Sequence, residues 1–301
     1  MNMKKSQNIF LILPILSGIM WGTTGPFVRE LTEAGMSNIT IFFSRVLIAS
    51  IVLFIGIFIV DRKLLKIRLK DLWIFILSGA VGMTGLNLCY NQSINQLPLS
   101  LAAVLLALSP VFVLILAAII FKEKVTLQKT VCMALAILGA ILVSGMLESG
   151  TGVRWSVPGI LTGFLSAFLY AIYSIAARIA MERGYHSFTI IFYSMLIATI
   201  VLCAFADWHA MGAYIQSDPL PHTGILLIHA AFSSILPYIC FNLGLSRIDT
   251  GKVSILASAG EPVAATCLGL LLYAEQPSVL TIIGLVLTIT ALVILVKPQK
   301  K

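Results

Sequence analysis

The residues that could carry chemistry are a few charged and aromatic side chains set inside long apolar runs. Glu261 stands in Gly260-Glu261-Pro262, in the middle of the stretch from Thr250 to Gln276. About 22 residues at ~1.5 Å each cover roughly 33 Å, enough to cross a bilayer, so this carboxylate falls near the midplane. An acid at that depth is costly and by default marks a functional site. Glu261 could bind a substrate ammonium group, carry a proton, or do both in turn. The plainer alternative is that it hydrogen-bonds a backbone group freed near Pro262 and only shapes the helix. Arg45, in Phe43-Ser44-Arg45, is the other charge well inside a span, with helix tethering, packing and substrate contact all open to it. His229 is the second candidate for a proton-carrying group, against the reading of a satisfied histidine on an apolar helix.

Polar residues within the runs recur at helical spacing, which gives each helix one wet face. The stripes are Ser17, Trp21, Thr24; Asn87, Tyr90, Asn91; Ser166, Tyr170, Tyr173; Ser234, Tyr238, Asn242; and Ser254, Ser258, Glu261. Trp21, Tyr90, Asn91, Tyr170, Tyr173, Tyr238, Asn242, Ser258 and Glu261 are the substrate-binding candidates. One acid among several aromatics suits an ammonium group, through ion pairing and cation–π contact. Ser17, Ser234 and Ser254 read instead as interhelical hydrogen bonds, and Trp73, Trp208 and Tyr214 as anchors at the membrane surface.

Composition sets the class. The chain has 301 residues, 59% of them hydrophobic and 11% charged, which is no ordinary soluble domain. The net charge of +8 does not point to nucleic acid, because Lys and Arg lie scattered between apolar runs. Five cysteines (Cys89, Cys132, Cys203, Cys240, Cys267) sit singly, so neither a disulfide nor a metal site is implied. No phosphate-binding glycine loop, no HExxH and no nucleophile–histidine pairing is present, so neither direct ATP drive nor hydrolysis is indicated, and no cofactor is expected. Lys4 and Lys5 before the first apolar run could open a signal peptide, but no small-residue cleavage site follows and the run keeps spanning length.

Ten spans are expected, at 9–28, 39–60, 72–92, 98–121, 126–146, 158–180, 187–205, 222–245, 251–273 and 278–296. Turn residues separate them, at Gly35 to Asn38, Gln96 to Pro98, Gly150 to Pro158 and Asp218 to Pro221. The longest outer loop is 206–221. With the N-terminus inside, seventeen of the twenty Lys and Arg face the cytoplasm; Arg29 and Arg154 lie outside and Arg45 within a helix. That bias puts both termini in the cytoplasm.

The two halves also echo each other. A shift of 152 lays Pro98–Lys124 on Thr250–Gln276 without a gap, pairing Pro110 with Pro262, Phe121 with Tyr273, Glu123 with Glu275 and Ser109 with Glu261. Upstream a shift of 149 pairs Arg29 with Arg178, Glu33 with Glu182, Gly35 with Gly184 and Arg45 with Ser194. Five spans per half is odd, so the second half (149–301) enters the membrane inverted relative to the first (1–148). The fold class is thus all-α and polytopic, ten transmembrane helices in two inverted five-helix repeats.

The paired segments Leu108-Ser109-Pro110, Phe121-Lys122-Glu123 and Gly139, and Ala259-Gly260-Glu261-Pro262, Tyr273-Ala274-Glu275 and Gly284, together with the arginine of Phe43-Ser44-Arg45, resemble the drug/metabolite transporter superfamily, EamA type. The resemblance covers nearly the whole chain. It departs at Lys122 and Ala274, where the family tends to carry glycine. It implies a ten-helix permease of a bacterial-type inner membrane, often an exporter of amino acids or other small metabolites.

Taken together, a secondary transporter working by alternating access is expected, moving an amino acid or amine, with export the expected direction. An uptake permease for another metabolite is the alternative, and a sensor or membrane-embedded enzyme a more distant one. The first, third, fourth, sixth, eighth and ninth spans would enclose the cavity, and the rest would brace it or meet a second protomer, which leaves a homodimer open. The partners expected are a small-molecule substrate, the lipid bilayer and a proton as coupling ion. Sugar phosphates suit the cavity less, since no lysine is expected inside any span.

Overall fold

Within a bilayer every backbone N–H and C=O must be satisfied inside the segment, and long apolar runs answer that by becoming helices. The computed structural model describes residues 3–97, 99–143, 147, 156–273 and 278–296, and all their regular structure is helical. The chain runs through α1 (Met3–Gly22), α2 (Thr24–Glu33), α3 (Asn38–Val60), two 3₁₀ turns and α4 (Leu72–Ile76). A π-helical stretch, Leu77–Gly85, joins α4 to α5 (Leu86–Gln96) as one rod. Then follow α6 (Leu99–Leu106), α7 (Ser109–Ile120), α8 (Leu127–Val143), α9 (Val157–Glu182), α10 (Ser187–Leu202) and α11 (Trp208–Ser217). A second π-helical stretch, Ala231–Ile235, joins α12 (Pro219–Ala230) to α13 (Leu236–Leu245). The last two are α14 (Thr250–Tyr273) and α15 (Val279–Val296).

Six of the described helical runs are long and apolar enough to cross a membrane: Ile9–Glu33, Asn38–Val60, Leu69–Ser93, Val157–Glu182, Pro219–Leu245 and Val279–Val296. Val104–Ile120, Leu127–Val143 and Ser187–Leu202 are shorter apolar helices. The protein is an all-α, multi-pass membrane protein. Its surface is inside out by the standards of a soluble domain: Ile51, Ile55, Ile59, Ile119 and Leu161 are exposed, while Ser17, Ser44, Ser78, Ser166 and Ser194 are buried.

Local chemistry explains the boundaries. Ser37 and Ser156 accept from Thr40 N and Gly159 N, capping α3 and α9. Gly35 and Gly184, paired in the sequence, both take positive φ (88° and 87°), a conformation that glycine adopts without strain. Two expectations are corrected. The span 98–121 is not one helix: the chain turns at 107–108 and restarts at Ser109, with Pro110 in the first turn, where its missing N–H forfeits no helical hydrogen bond. The loop 206–221 contains α11, capped by Asp207 accepting from Ala210 N. Pro98, Arg154, Glu275, Gln276 and the boundary at 148/149 lie outside the described residues.

Glycines bring helix backbones together at several interfaces. Between α1 and α14, a Cβ on Gly18 would fall 1.9 Å from the Ala257 carbonyl oxygen, and one on Gly260 would fall 2.6 Å from that of Ile15. Between α8 and α15, Gly139 and Gly284 approach reciprocally, each Cβ falling 2.8 Å and 2.7 Å from the other's carbonyl oxygen. Such close approach is how helices associate without a hydrophobic drive between them. The main core joins α3, α4, α9, α10 and α13 around Phe43, Phe75, Met195 and Phe241.

The charged loops converge on one end of the bundle. There Asp71, fully buried, accepts from the Tyr185 hydroxyl (2.7 Å), Arg68 Nε (2.7 Å) and Arg183. At the opposite end the Thr40 hydroxyl accepts from Asp207 N, and Tyr214 donates to Glu30 while stacking on His222 at 4.0 Å. Tyr214 is therefore a packed residue, 6% exposed, and not a surface anchor; Trp73 and Trp208 are exposed at 46% and 49%.

Candidate functional site

Five aromatic rings from three helices meet inside the bundle. Trp21 of α1 contacts Tyr238 and Phe241 of α13, with centroids 5.2 and 5.6 Å away, and Tyr170 of α9 at 6.3 Å. Tyr173 lies 5.2 Å from Tyr238, and Tyr170 lies 5.9 Å from Phe241. Most pairs are edge-on, the arrangement favoured by ring quadrupoles. Trp21, Tyr170, Tyr173 and Tyr238 were picked out from their stripes, and the fold brings them together. Phe241 was missed, although it stands at i+3 from Tyr238 and so on the same face.

Glu261 borders this cluster. Its side chain is exposed in the folded chain. The phenols of Tyr90 on α5 and Tyr170 lie within its electrostatic reach. Ser258, half-buried, is on the same face of α14, and Ser254 one turn further is fully buried. The Tyr170 and Ser254 hydroxyls approach each other but stop short of a closed hydrogen bond.

Asn242 is already engaged. Its amide nitrogen donates to the Tyr173 hydroxyl (2.7 Å) and the Tyr238 carbonyl (2.8 Å), and only its oxygen lacks a partner. Asn91 is half-buried, and no described contact ties it to the aromatic ring. The interhelical hydrogen bonds expected of Ser17, Ser234 and Ser254 are not formed; all three hydroxyls are buried without a partner.

Arg45 and His229 lie apart from Glu261, towards the opposite end. The guanidinium donates to Asn87 Oδ1 at 2.9 Å and lies over the Phe42 ring at 4.7 Å. Asn87 in turn donates to the Met83 carbonyl inside the first π-helical stretch. His229, 0% exposed, stacks on Phe27 at 5.4 Å. The Thr24 hydroxyl donates to Ser233 of the second π-helical stretch and stays outside the aromatic ring. Neither π-helical stretch was read from the sequence, although such distortions often accompany functional sites.

Two adjoining cavities indent the basic end. One, of about 590 Å³, is lined by Glu123, Lys124, Lys129, Asp249 and Lys252 among others. The second, of about 430 Å³, lies between Phe10, Arg178, Tyr185, His186 and Arg247. Glu123 accepts from Thr250 N (2.7 Å) and Gly251 N (3.3 Å), so a carboxylate from the first half caps the helix that bears Glu261. Lys129 Nζ pairs with Asp249 at 3.0 Å and with Glu123 at 3.8 Å. The expectation of no lysine inside a span is corrected here: Lys129, 5% exposed, and Lys252, half-buried, enter the first turns of α8 and α14. Burial is tolerated because Lys129 finds two carboxylates and the Lys124 carbonyl. Among the described residues no cluster of His, Cys, Asp and Glu could hold a metal ion.

Comparisons with known proteins bear on the family and the fold. The model of the EamA-like transporter family matches residues 8–145 and again 157–297. The chain is 24% identical to a probable terminal-alkyne amino-acid exporter of Streptantibioticus cattleyicolor, over 94% of this chain and 91% of that one. It is also 24% identical to the pseudopaline exporter CntI of Pseudomonas aeruginosa, over 96% of both chains. An uncharacterized transporter of Haemophilus influenzae is 24% identical over 84% of this chain and 81% of its own. A solved crystal structure with 16% identity superposes with a TM-score of 0.75 over 95% of each chain, which shows a shared fold. Apolar helices with a polar interior and a family match over both halves lead to one conclusion: the chain belongs to the EamA-like transporter family and is a secondary transporter of a small metabolite, not an enzyme.

Proposed function

We propose that this transporter exports an amino acid or amine by alternating access, with Glu261 holding the ammonium group and accepting a proton in its place. The observation that carries this reading is the Glu261 carboxylate within electrostatic reach of the Tyr90 and Tyr170 phenols, with the Trp21 ring packed on Tyr170. A carboxylate with π faces around it is the donor set that a cation selects. Resemblance to a protein named as an amino-acid exporter supports the same substrate class and direction.

The architecture proposed is ten transmembrane helices in two inverted repeats, 1–148 and 149–301. Three features support it. The π-helical stretch Ala231–Ile235 falls on residues 79–83, within Leu77–Gly85, under the shift of 152. Gly139 and Gly284, paired in the sequence, touch each other reciprocally, as residues on a pseudo-two-fold axis would. Packing of α1 on α13 and α14 is matched by packing of α9 on α5 and α7. The basic end is assigned to the cytoplasm of a bacterial-type inner membrane, with both termini inside. Cysteine labelling from outside intact cells, in a background without native cysteines, should modify position 216 and spare position 66; the reverse pattern would overturn the orientation.

The function is tested in sealed proteoliposomes. A thermal-shift screen of amino acids, amines and nucleosides chooses the solutes. A stabilising amino acid or amine should then cross the membrane chemically unchanged, faster with an imposed proton gradient. Stabilisation and transport confined to nucleosides would sink the proposal.

A further inference from the structure

The charges that Glu261 does not explain lie towards the opposite end, on α3 and α12. Both helices begin at that end and run inward side by side. Ile41 and Leu226 share one apolar cluster with Leu31, Met36 and Tyr214. One turn further in, at i+4 on α3 and i+3 on α12, the same faces carry Arg45 and His229. The Arg45 charge reaches both His229 and Tyr238.

Neither group is satisfied. Arg45 spends one nitrogen on Asn87, while its Nε is buried without a partner. Both ring nitrogens of His229 are buried without a partner, and the residue has no exposed surface. Among the described residues no carboxylate pairs with Arg45: the acids in ion pairs are Asp71, Glu123, Glu182 and Asp249, all at the basic end. A half-buried arginine whose Nε is buried without a partner, and which has no counter-charge, is a costly element to keep. Its planar fork is the side chain best matched to a carboxylate.

The geometry points to Arg45 and His229 as the subsite for the carboxylate of a substrate whose ammonium group is held at Glu261, so the cargo is an amino acid and not a simple amine. This rests on the transport proposed above and narrows it. The two poles stand at successive depths. Counting helix rise, Glu261 is ~16 Å from the basic end of α14 and Arg45 ~22 Å from the basic end of α3. The aromatic ring spans the interval: Tyr170 borders Glu261, Tyr238 borders Arg45, and Trp21 touches both. A solute entering from the basic end meets the acid first, and Arg45 with His229 second. The Ile41–Leu226 cluster closes the route beyond, so outward opening is the step that frees the carboxylate.

Binding to purified full-length protein tests the inference with three pairs: phenylalanine and phenethylamine, tyrosine and tyramine, lysine and cadaverine. At least one amino acid should bind more tightly than its decarboxylated partner by about tenfold to a hundredfold, the worth of a charge-assisted hydrogen-bond pair. Arg45→Gln should close that gap, and Arg45→Lys should narrow it. If Arg45→Gln does not fold, the gap in the unmodified protein and its loss in His229→Asn decide the matter. Equal affinity within every pair, or equal weakening of both members by Arg45→Gln, would overturn the carboxylate subsite while leaving amine transport intact. Failure of all six compounds to bind or to be transported would overturn both proposals.

Discussion

The stretch α6–α7 and the helix α14 align without a gap, yet they fold differently. In the first, the chain breaks at 107–108 and α7 restarts with Pro110 in its first turn. In the second, α14 runs unbroken from Thr250 to Tyr273 through Glu261 and Pro262. The proline is common to both, so it is not sufficient to end the helix. What differs is the neighbour. α14 is clamped against the α1 backbone on the N-terminal side of Pro262, by Gly18 at Ala257 and by Gly260 at Ile15. Under the proposed repeat these glycines become Ala167 and Leu108. A methyl group at 167 and a leucine at 108 forbid that backbone contact, and α6 reaches α9 through the Leu105 side chain against Gly163 instead. The clamp lies just before a residue that removes one of the hydrogen bonds of α14, and the helix continues unbroken past it.

The strongest way to break this comparison is at the clamp. Gly18→Ala places a methyl carbon 1.9 Å from the Ala257 carbonyl oxygen, so α1 and α14 must part. The expected cost is about 3 kcal/mol, read as a lower unfolding temperature in detergent together with lost transport. Ala167→Gly, at the aligned position, should cost about 1 kcal/mol, the helix propensity difference alone. Equal stability of Gly18→Ala and the unmodified protein would show that the clamp does not hold the helix.

A smaller effect is expected where the two stretches differ in chemistry and not in packing. Glu261→Gln keeps size and hydrogen bonding while removing the charge. It should fold normally and lose pH-driven accumulation in proteoliposomes, with transport reduced by about thirtyfold, or ~2 kcal/mol. Ser109→Ala, at the aligned position, should transport at the unmodified rate. If Glu261→Gln retains both rate and pH dependence, the acid only shapes the helix and the coupling proposal is lost.

The smallest effects belong to the aromatic ring. Trp21→Ala and Tyr170→Ala should each weaken binding of a transported amine by roughly tenfold, about 1–2 kcal/mol, with expression maintained. Tyr90→Phe separates ring from hydroxyl and should change affinity by less than the two alanine variants. Loss of thermal stability with unchanged affinity in Trp21→Ala and Tyr170→Ala would mark them as packing residues and sharpen the boundary of the site.

Much of this was legible in the sequence because it is local. Apolar run length places the helices, the period of 3.6 gathers Trp21, Tyr170, Tyr173 and Tyr238 onto inward faces, and the gapless echo pairs Gly35 with Gly184 before either φ is known. The depth of Glu261 follows from counting residues along one run. Tertiary structure alone decided what depends on two segments meeting. That the chain breaks before Pro110 and runs on through Pro262 goes with how near α1 lies. Hydropathy cannot distinguish an α-helical turn from a π-helical one, so the stretches that position Asn87 and Ser233 were invisible. The same holds for the unpartnered hydroxyls of Ser17, Ser234 and Ser254, whose stripes say which way they face and not whether an acceptor waits there. Arg45 and His229 were each conspicuous alone. Their adjacency comes from α3 and α12 running side by side, a packing of distant segments that no periodicity within either segment records.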